Sequence, residues 1–252
     1  MTERSVHELA VLAQFALAAC TCLGLLFVAA PYGRYRRKGW GPNIPNVTGW
    51  ICMEAPAVLV FTLTFLAGDH AVEIVPVVFL AIWHIHYINR AFIFPLRTRW
   101  GNTKIPLFLP VLGILFNSLN AYINARWISH LGRYGPEWLT DPRFLVGCAI
   151  FAAGWLGNLH SDAILRKLRS SEDRTYKIPI GGLFRWISAP NYACEIVEWT
   201  GWAIATWSPA GLAFAVYTAA NLGPRGHKHH AWYRKTFPNY PSSRKALIPK
   251  IF

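Results

Sequence analysis

Seven strongly apolar runs recur along the chain, and each is interrupted or bordered by an ionisable or amide side chain. They are Leu9–Ala30, Trp50–Ala67, Val72–Phe94, Ile105–Ile123, Phe144–Leu159, Tyr192–Trp207 and Pro209–Leu222; the last three are short. The longer runs can each cross a hydrocarbon core of roughly 30 Å as a helix. Hydrocarbon forces every backbone polar group to be satisfied within the chain, so such runs become helices. With only 15% charged residues and twelve Trp, the composition argues against a soluble protein.

The formal charge of +13 invites a nucleic-acid reading, but its placement does not. If the seven runs alternate across a bilayer, one side receives twenty Lys and Arg and the other four, with Arg90 inside the third run. That asymmetry puts the N-terminus outside and the C-terminus in the cytoplasm. The expected fold is an all-α integral membrane protein with seven transmembrane helices and a basic cytoplasmic cap. It is read as one domain over residues 1–252. The membrane is the inner membrane for a bacterial source and the endoplasmic reticulum for a eukaryotic one. The first run is longer than the roughly 7–15-residue core of a cleaved signal. Cys20, Cys22, Cys52, Cys148 and Cys194 form no metal or disulfide spacing and read as small buried hydrophobes.

Charged groups inside such runs must face protein or water, which makes them functional candidates. Glu54 lies in the second run with no basic residue within a helical turn, so it needs a proton or a partner from another helix. The third run carries His84, His86, Tyr87, Asn89 and Arg90, too broad a polar face for a narrow helix seam. Tyr87 is the natural proton donor among them. A buried, satisfied side chain is the plainer reading of both histidines and the preferred one for His84. Asn117, Asn120 and Asn124 form a stripe more typical of helix–helix hydrogen bonding. Asn158, Asp162 and Arg169 share a second stripe, and Asn191, Glu195 and Glu198 a third. Arg225, His229 and Tyr233 recur every four residues in the basic C-terminal stretch. Such a stretch commonly contacts anionic lipid; its interleaved His, Tyr and Trp favour a shaped phosphate site instead.

At these residues a resemblance becomes specific. The segment Asn158-Leu-His-Ser-Asp162, then Tyr176-Lys-Ile-Pro-Ile-Gly181-Gly182, Asn191-Tyr-Ala-Cys-Glu195 and the C-terminal Tyr240-Pro-Ser-Ser-Arg244-Lys-Ala-Leu-Ile-Pro249 resemble the steroid 5α-reductase family. The N-terminal half resembles it more loosely, through Glu54 and His86-Tyr87-x-x-Arg90. The resemblance implies a seven-helix reductase that uses NADPH to saturate the Δ4 double bond of a 3-oxo steroid. Glu54 and Tyr87 match residues that hydrogen-bond the C3 carbonyl. Cofactor contacts correspond to Asn158, Asp162, Arg169, Tyr176, Asn191, Glu195, Arg225, His229, Tyr233 and Arg244. Residues 1–124 would then supply the substrate side and 144–252 the cofactor side. Two positions depart from the pattern: Met53 stands where mammalian members carry Gln, and Lys177 replaces an Arg.

Residue chemistry and resemblance meet on one mechanism. Hydride addition to a conjugated enone builds negative charge on the carbonyl oxygen, and donors aimed there lower the barrier most. No G-x-G-x-x-G phosphate loop is present, so a dinucleotide must be held by helix and loop side chains. No metal is expected, and the partners are a lipophilic substrate and membrane lipid, not nucleic acid. An integral membrane S-adenosylmethionine-dependent methyltransferase is the main rival, and would have less use for so many phosphate-binding cations. A di-iron oxidase lacks its H-x-x-H-H spacing. A sterol receptor would leave the basic cap without a role. Within the reductase reading, polyprenols and enoyl thioesters remain alternative substrates.

Overall fold

Local chemistry starts most of the long helices. Thr2, Asp141 and Ser208 accept hydrogen bonds from the backbone N–H groups of Ser5, Arg143 and Gly211. Pro142, Pro190 and Pro209 occupy first helical positions, where a missing N–H costs nothing. The computed structural model describes residues 1–168 and 175–251. Seven long helices run through the described residues: α1 (Glu3–Phe27), α2 (Asn46–Leu66), α3 (Ile74–Arg97), α4 (Phe108–Leu131), α5 (Pro142–Lys167), α6 (Pro190–Thr206) and α7 (Pro209–Thr236). A π-turn over Asn89–Ile93 interrupts α3, and another over Trp127–Leu131 ends α4. Trp207, in the left-handed region at φ 45°, separates α6 from α7.

Five of these helices, α1 to α5, are long and apolar enough to cross a membrane. The helix count matches the seven runs read from sequence, but α6 and α7 fall short as spans by length and composition. At 1.5 Å per residue, the 17 residues of α6 cover roughly 26 Å, and they carry Glu195 and Glu198. The apolar half of α7 gives way to Arg225. Polarity is reversed relative to a soluble protein. Leu12, Leu23, Leu59, Leu63, Leu115 and Leu156 are exposed, while Gln14, Asn120, Asn124 and Glu198 are buried.

Connections alternate between two ends. At one end, β1 (Asn43–Pro45) pairs antiparallel with β2 (Lys104–Pro106), clipping the α1–α2 connection to the α3–α4 connection. At that end Ile187 bridges Lys245, so the segment before α6 is strapped to the C-terminus. At the other end Arg126 holds Glu3, His130 contacts Asp69 at 3.1 Å, and the Tyr134 hydroxyl donates to Thr206 O at 2.7 Å.

Between the ends, the core is aromatic. Trp83, Trp199 and Trp202 are fully buried with Phe61 and Phe79. Trp83 Nε1 donates to Ala57 O and Trp202 Nε1 to Asn124 Oδ1, which satisfies both indoles. Asn120 accepts from Gln14 and Asn124, so two members of the asparagine stripe are inter- and intrahelical bonding groups as expected. Small residues let α5 and α6 touch backbone to backbone: a Cβ on Gly154 would overlap Glu198, and one on Gly201 would overlap Phe151. Gly154→Val should therefore lower stability by roughly 1–3 kcal/mol or more through overpacking. Gly223→Ala in α7, where a Cβ meets open space, should instead raise it by about 0.5–1 kcal/mol. Thermal unfolding in detergent checks the contrast, and equal shifts in both variants would remove the backbone-contact explanation.

Candidate active site

All seven helices line one cavity of about 750 Å³, within the roughly 300–1,000 Å³ of small-molecule sites. Its deep part is walled by Trp199, Phe116 and Phe214. Glu54 of α2 and Tyr87 of α3, the two expected catalytic residues, both face this space. The Tyr87 ring sits against Trp83 at 4.7 Å and Trp199 at 5.6 Å between centroids, so its position is fixed by packing. Its hydroxyl has no hydrogen-bond partner among the described residues. The Glu54 carboxyl receives a long hydrogen bond from Asn117 Nδ2 at 3.4 Å, and the same amide donates to Met53 O at 2.7 Å. Asn117 is thus the one member of its stripe at the cavity. It lends Glu54 an amide neighbour, while Met53 packs its own side chain onto Gly113 of α4.

One turn beyond Tyr87, Arg90 belongs to the π-turn of α3. π-Turns inside helices often mark functional positions. Its guanidinium lies 3.8 Å from Asp162 of α5 and 3.7 Å from Glu195 of α6, and packs over the rings of Trp50 and Phe94. Asn158 Nδ2 donates to Asn191 O at 3.0 Å and to Glu195 Oε2 at 3.2 Å, and Asn191 Nδ2 donates to Asp162 Oδ1 at 3.3 Å. The stripes read separately from α5 and α6 are therefore one network. Asp162, Asn191 and Glu195 line the cavity, and Asn158 stands behind them. Sequence reasoning placed Arg90 on the polar face but did not assign it to this network. Its partners lie on other helices, and spacing along α3 carries no sign of them.

The cavity's mouth is cationic and aromatic. A connected recess of about 150 Å³ is lined by Arg34, Tyr35, Tyr176, Arg225, Lys228 and His229, among others, and no described lining residue is acidic. Arg34, from the α1–α2 connection, lies over the rings of Trp232 (4.4 Å), Tyr233 (4.7 Å) and Tyr176 (5.1 Å). Arg225 donates to the hydroxyls of Tyr32 and Tyr192. Burial pulls Arg225 down to about 10 and Tyr35 up to about 12, and burial with the neighbouring Arg34 and Arg225 holds His229 well below the usual histidine value. Among the described residues these groups have no acidic neighbour in the recess lining. Arg34 Nη1 and Tyr35 Oη are buried with no partner among the described residues. Sequence analysis missed Arg34 and Tyr35. The loop's basic residues entered the sequence reading only as part of the charge count across the bilayer, and the cage is assembled from three distant segments.

One expected cofactor residue falls elsewhere and another is not among the described residues. Arg244 is buried outside the cavity lining, where Nη1 donates to Pro179 O at 3.0 Å and helps hold the C-terminal strap. Arg169 lies outside the described residues. The strap is reinforced by Ser188, whose hydroxyl contacts His230 Nδ1 at 2.7 Å, Tyr240 Oη at 2.6 Å and Lys245 O at 3.1 Å. His84 is satisfied away from the cavity by Thr62 and Leu80 O.

Removing Arg90 strands one buried carboxylate, Asp162, and one part-buried carboxylate, Glu195. Arg90→Met should destabilise the protein by about 3–5 kcal/mol, and adding Asp162→Asn with Glu195→Gln should recover part of that loss. Thermal unfolding of the single and triple variants measures it; a triple variant less stable than the single one would refute the bridging role.

Known proteins resemble this chain over most of its length. The sequence profile of the 3-oxo-5-alpha-steroid 4-dehydrogenase family matches residues 103–252. A steroid 5-alpha-reductase of Solanum lycopersicum is 44% identical over 232 residues, covering 90% of this chain and 89% of that protein. The 3-oxo-5-alpha-steroid 4-dehydrogenase 1 of Bos taurus is 38% identical, covering 99% of this chain and 98% of its own length. The corresponding Homo sapiens protein is also 38% identical, over 100% and 99%. The chain belongs to the 3-oxo-5-alpha-steroid 4-dehydrogenase family, a family of membrane oxidoreductases of steroid metabolism.

Proposed function

We propose that this protein is an NADPH-dependent reductase that saturates the Δ4 double bond of a 3-oxo steroid. One observation carries the reading: a single cavity combines a carboxyl and a free phenol between apolar walls with an acid-poor cationic recess at its mouth. The first pair suits the ketone oxygen of a lipophilic enone. The recess suits the phosphates of a dinucleotide, because its buried guanidiniums, with no carboxylate among the described lining residues, call for an anionic ligand.

The residues present fit such a cofactor. Arg225, His229, Tyr233 and Tyr176, with Arg34 added, would hold its phosphates, and Asp162, Asn191 and Glu195 would meet its uncharged end, with Asn158 acting from behind through Asn191 and Glu195. Arg244 and Arg169 complete the family's set, Arg244 acting through the C-terminal strap. The abundance of cations favours a dinucleotide carrying the extra ribose phosphate. When bound, the nicotinamide supplies a hydride to the β-carbon of the enone. The protein's part is electrostatic. The Tyr87 hydroxyl donates to the ketone oxygen, Glu54 orients or shares that hydrogen bond, and the surrounding Trp and Phe rings keep water away from the developing charge.

The chain is read as crossing the bilayer seven times, N-terminus outside and C-terminal cap in the cytoplasm. Supporting this, the four basic connections meet at the end that holds the recess. Conversion of a 3-oxo-Δ4 steroid with oxidation of NADPH, assayed on purified protein beside an enoyl thioester, tests the reading; reduction of the thioester alone would overturn it.

Glu54→Gln or Tyr87→Phe should lower kcat at least about 100-fold while the dinucleotide still binds. Full turnover in either variant would release that residue from the carbonyl. Arg34→Ala should weaken dinucleotide binding roughly tenfold or more, read by titration of intrinsic Trp fluorescence. An unchanged Kd would take Arg34 out of the phosphate site.

A further inference from the structure

His86 and Glu198 form a buried pair that the proposed mechanism leaves unused. His86 Nδ1 lies 2.6 Å from Glu198 Oε1, and the two side chains are 6% and 0% exposed. Glu198 Oε2 has no partner among the described residues, so the carboxylate's only polar contact there is the imidazole. Trp199 and Tyr87 meet the ring edge-on at 4.6 and 4.9 Å between centroids and fix its plane. His86 nevertheless lines the cavity, and Nε2 has no partner among the described residues. A carboxylate on one imidazole nitrogen with the other turned to a substrate space is the arrangement that orients a general acid or base. The other charged groups near it are Glu195 of α6, Arg90 of α3 and Glu54 of α2.

Saturating an enone needs a proton as well as a hydride. Tyr87 and Glu54 are committed to the ketone oxygen, whereas the proton must reach the adjoining α-carbon. The residue next to Tyr87 presents a second donor whose ring is close enough for one O=C–C unit to face both.

We propose that His86, held by Glu198, is the catalytic acid that protonates the α-carbon; this rests on the reductase reading above. In the step, the Nε2–H bond of the imidazolium breaks and a C–H bond forms at the α-carbon of the enolate. The enolate electron pair makes the new bond, the ketone is restored, and the neutral imidazole takes its next proton from water entering through the cavity mouth. Glu198 stabilises the imidazolium and fixes which nitrogen faces the substrate. The same pair, run backwards on the saturated ketone, removes an α-proton.

That reverse step gives a test that needs no net reduction. Purified protein is incubated in deuterated water with a saturated 3-oxo steroid and no reduced dinucleotide, and deuterium at the α-carbons is followed by mass spectrometry and NMR. Wild-type protein should exchange one α-hydrogen stereospecifically. His86→Gln should slow that exchange about 100-fold, with steroid binding, read as a thermal shift, intact. Glu198→Gln should slow it at least about tenfold, and carries the test if His86→Gln does not fold. Wild-type rates in the folded variants overturn the proposal, as does wild-type protein that binds the ketone without exchanging it. Wild-type protein that binds no 3-oxo steroid overturns the reductase reading instead.

Discussion

The guanidinium of Arg90 joins the two halves of this molecule. It leaves α3 at a π-turn and reaches Asp162 on α5 and Glu195 on α6, while the backbone carbonyl of Arg90 accepts from Trp50 Nε1 of α2 at 3.2 Å. One cation facing acids on two helices favours their convergence, because separating either acid from it would leave a charge unpaired. The Asn158–Asn191 contact and the glycine-lined face between α5 and α6 then close that convergence. Tyr87 stands one turn before Arg90, so the network that aligns α5 and α6 also fixes the height of the phenol in the cavity. Site and scaffold are here the same set of contacts.

Much of this was legible in the sequence. The first five apolar runs correspond to α1 to α5, because length and hydropathy alone dictate a helix in hydrocarbon. The last two were harder, since α6 is short and acidic and α7 changes character midway. The polar stripes were visible as well: Asn158 with Asp162 and Asn191 with Glu195 keep helical spacing, and each pair shares a face in the structure. What spacing could not supply was partnership across helices. Asn117, Asn120 and Asn124 look alike in sequence, yet Asn120 and Asn124 bond within the bundle while Asn117 reaches Glu54. The difference is depth and neighbour, which a one-dimensional period does not encode. Arg34 was hidden for the same reason, as Tyr176, Trp232 and Tyr233 come from elsewhere in the chain.

The many aromatic residues have a similar logic. Tryptophan in membrane proteins commonly gathers at the water interfaces, but Trp83, Trp199 and Trp202 are fully buried. Trp83 and Trp199 flank Tyr87, Trp199 also meets His86, and Trp202 packs behind them. Rigid walls hold a phenol and an imidazole in one orientation without adding polar competitors, and an environment poor in water strengthens every hydrogen bond made to a substrate oxygen. The buried aromatic cluster therefore does for the deep end of the cavity what Arg90 does for its middle.

Charge along the cavity changes sign, and that gradient alone restricts what can lie in it. The middle is rich in carboxylates, with Glu54, Asp162 and Glu195 around Arg90, and the mouth is cationic, with Arg34, Arg225 and Lys228. An elongated ligand with anionic groups at one end and a neutral amide at the other has one favourable direction here. Reversing it would place phosphates against carboxylates and leave buried guanidiniums without an anion, two penalties of the same sign. Such a ligand would be oriented before any atom-level recognition, and the aromatic-walled remainder, beside Glu54, Tyr87 and His86, would be left for a second, apolar ligand, as the proposed function requires.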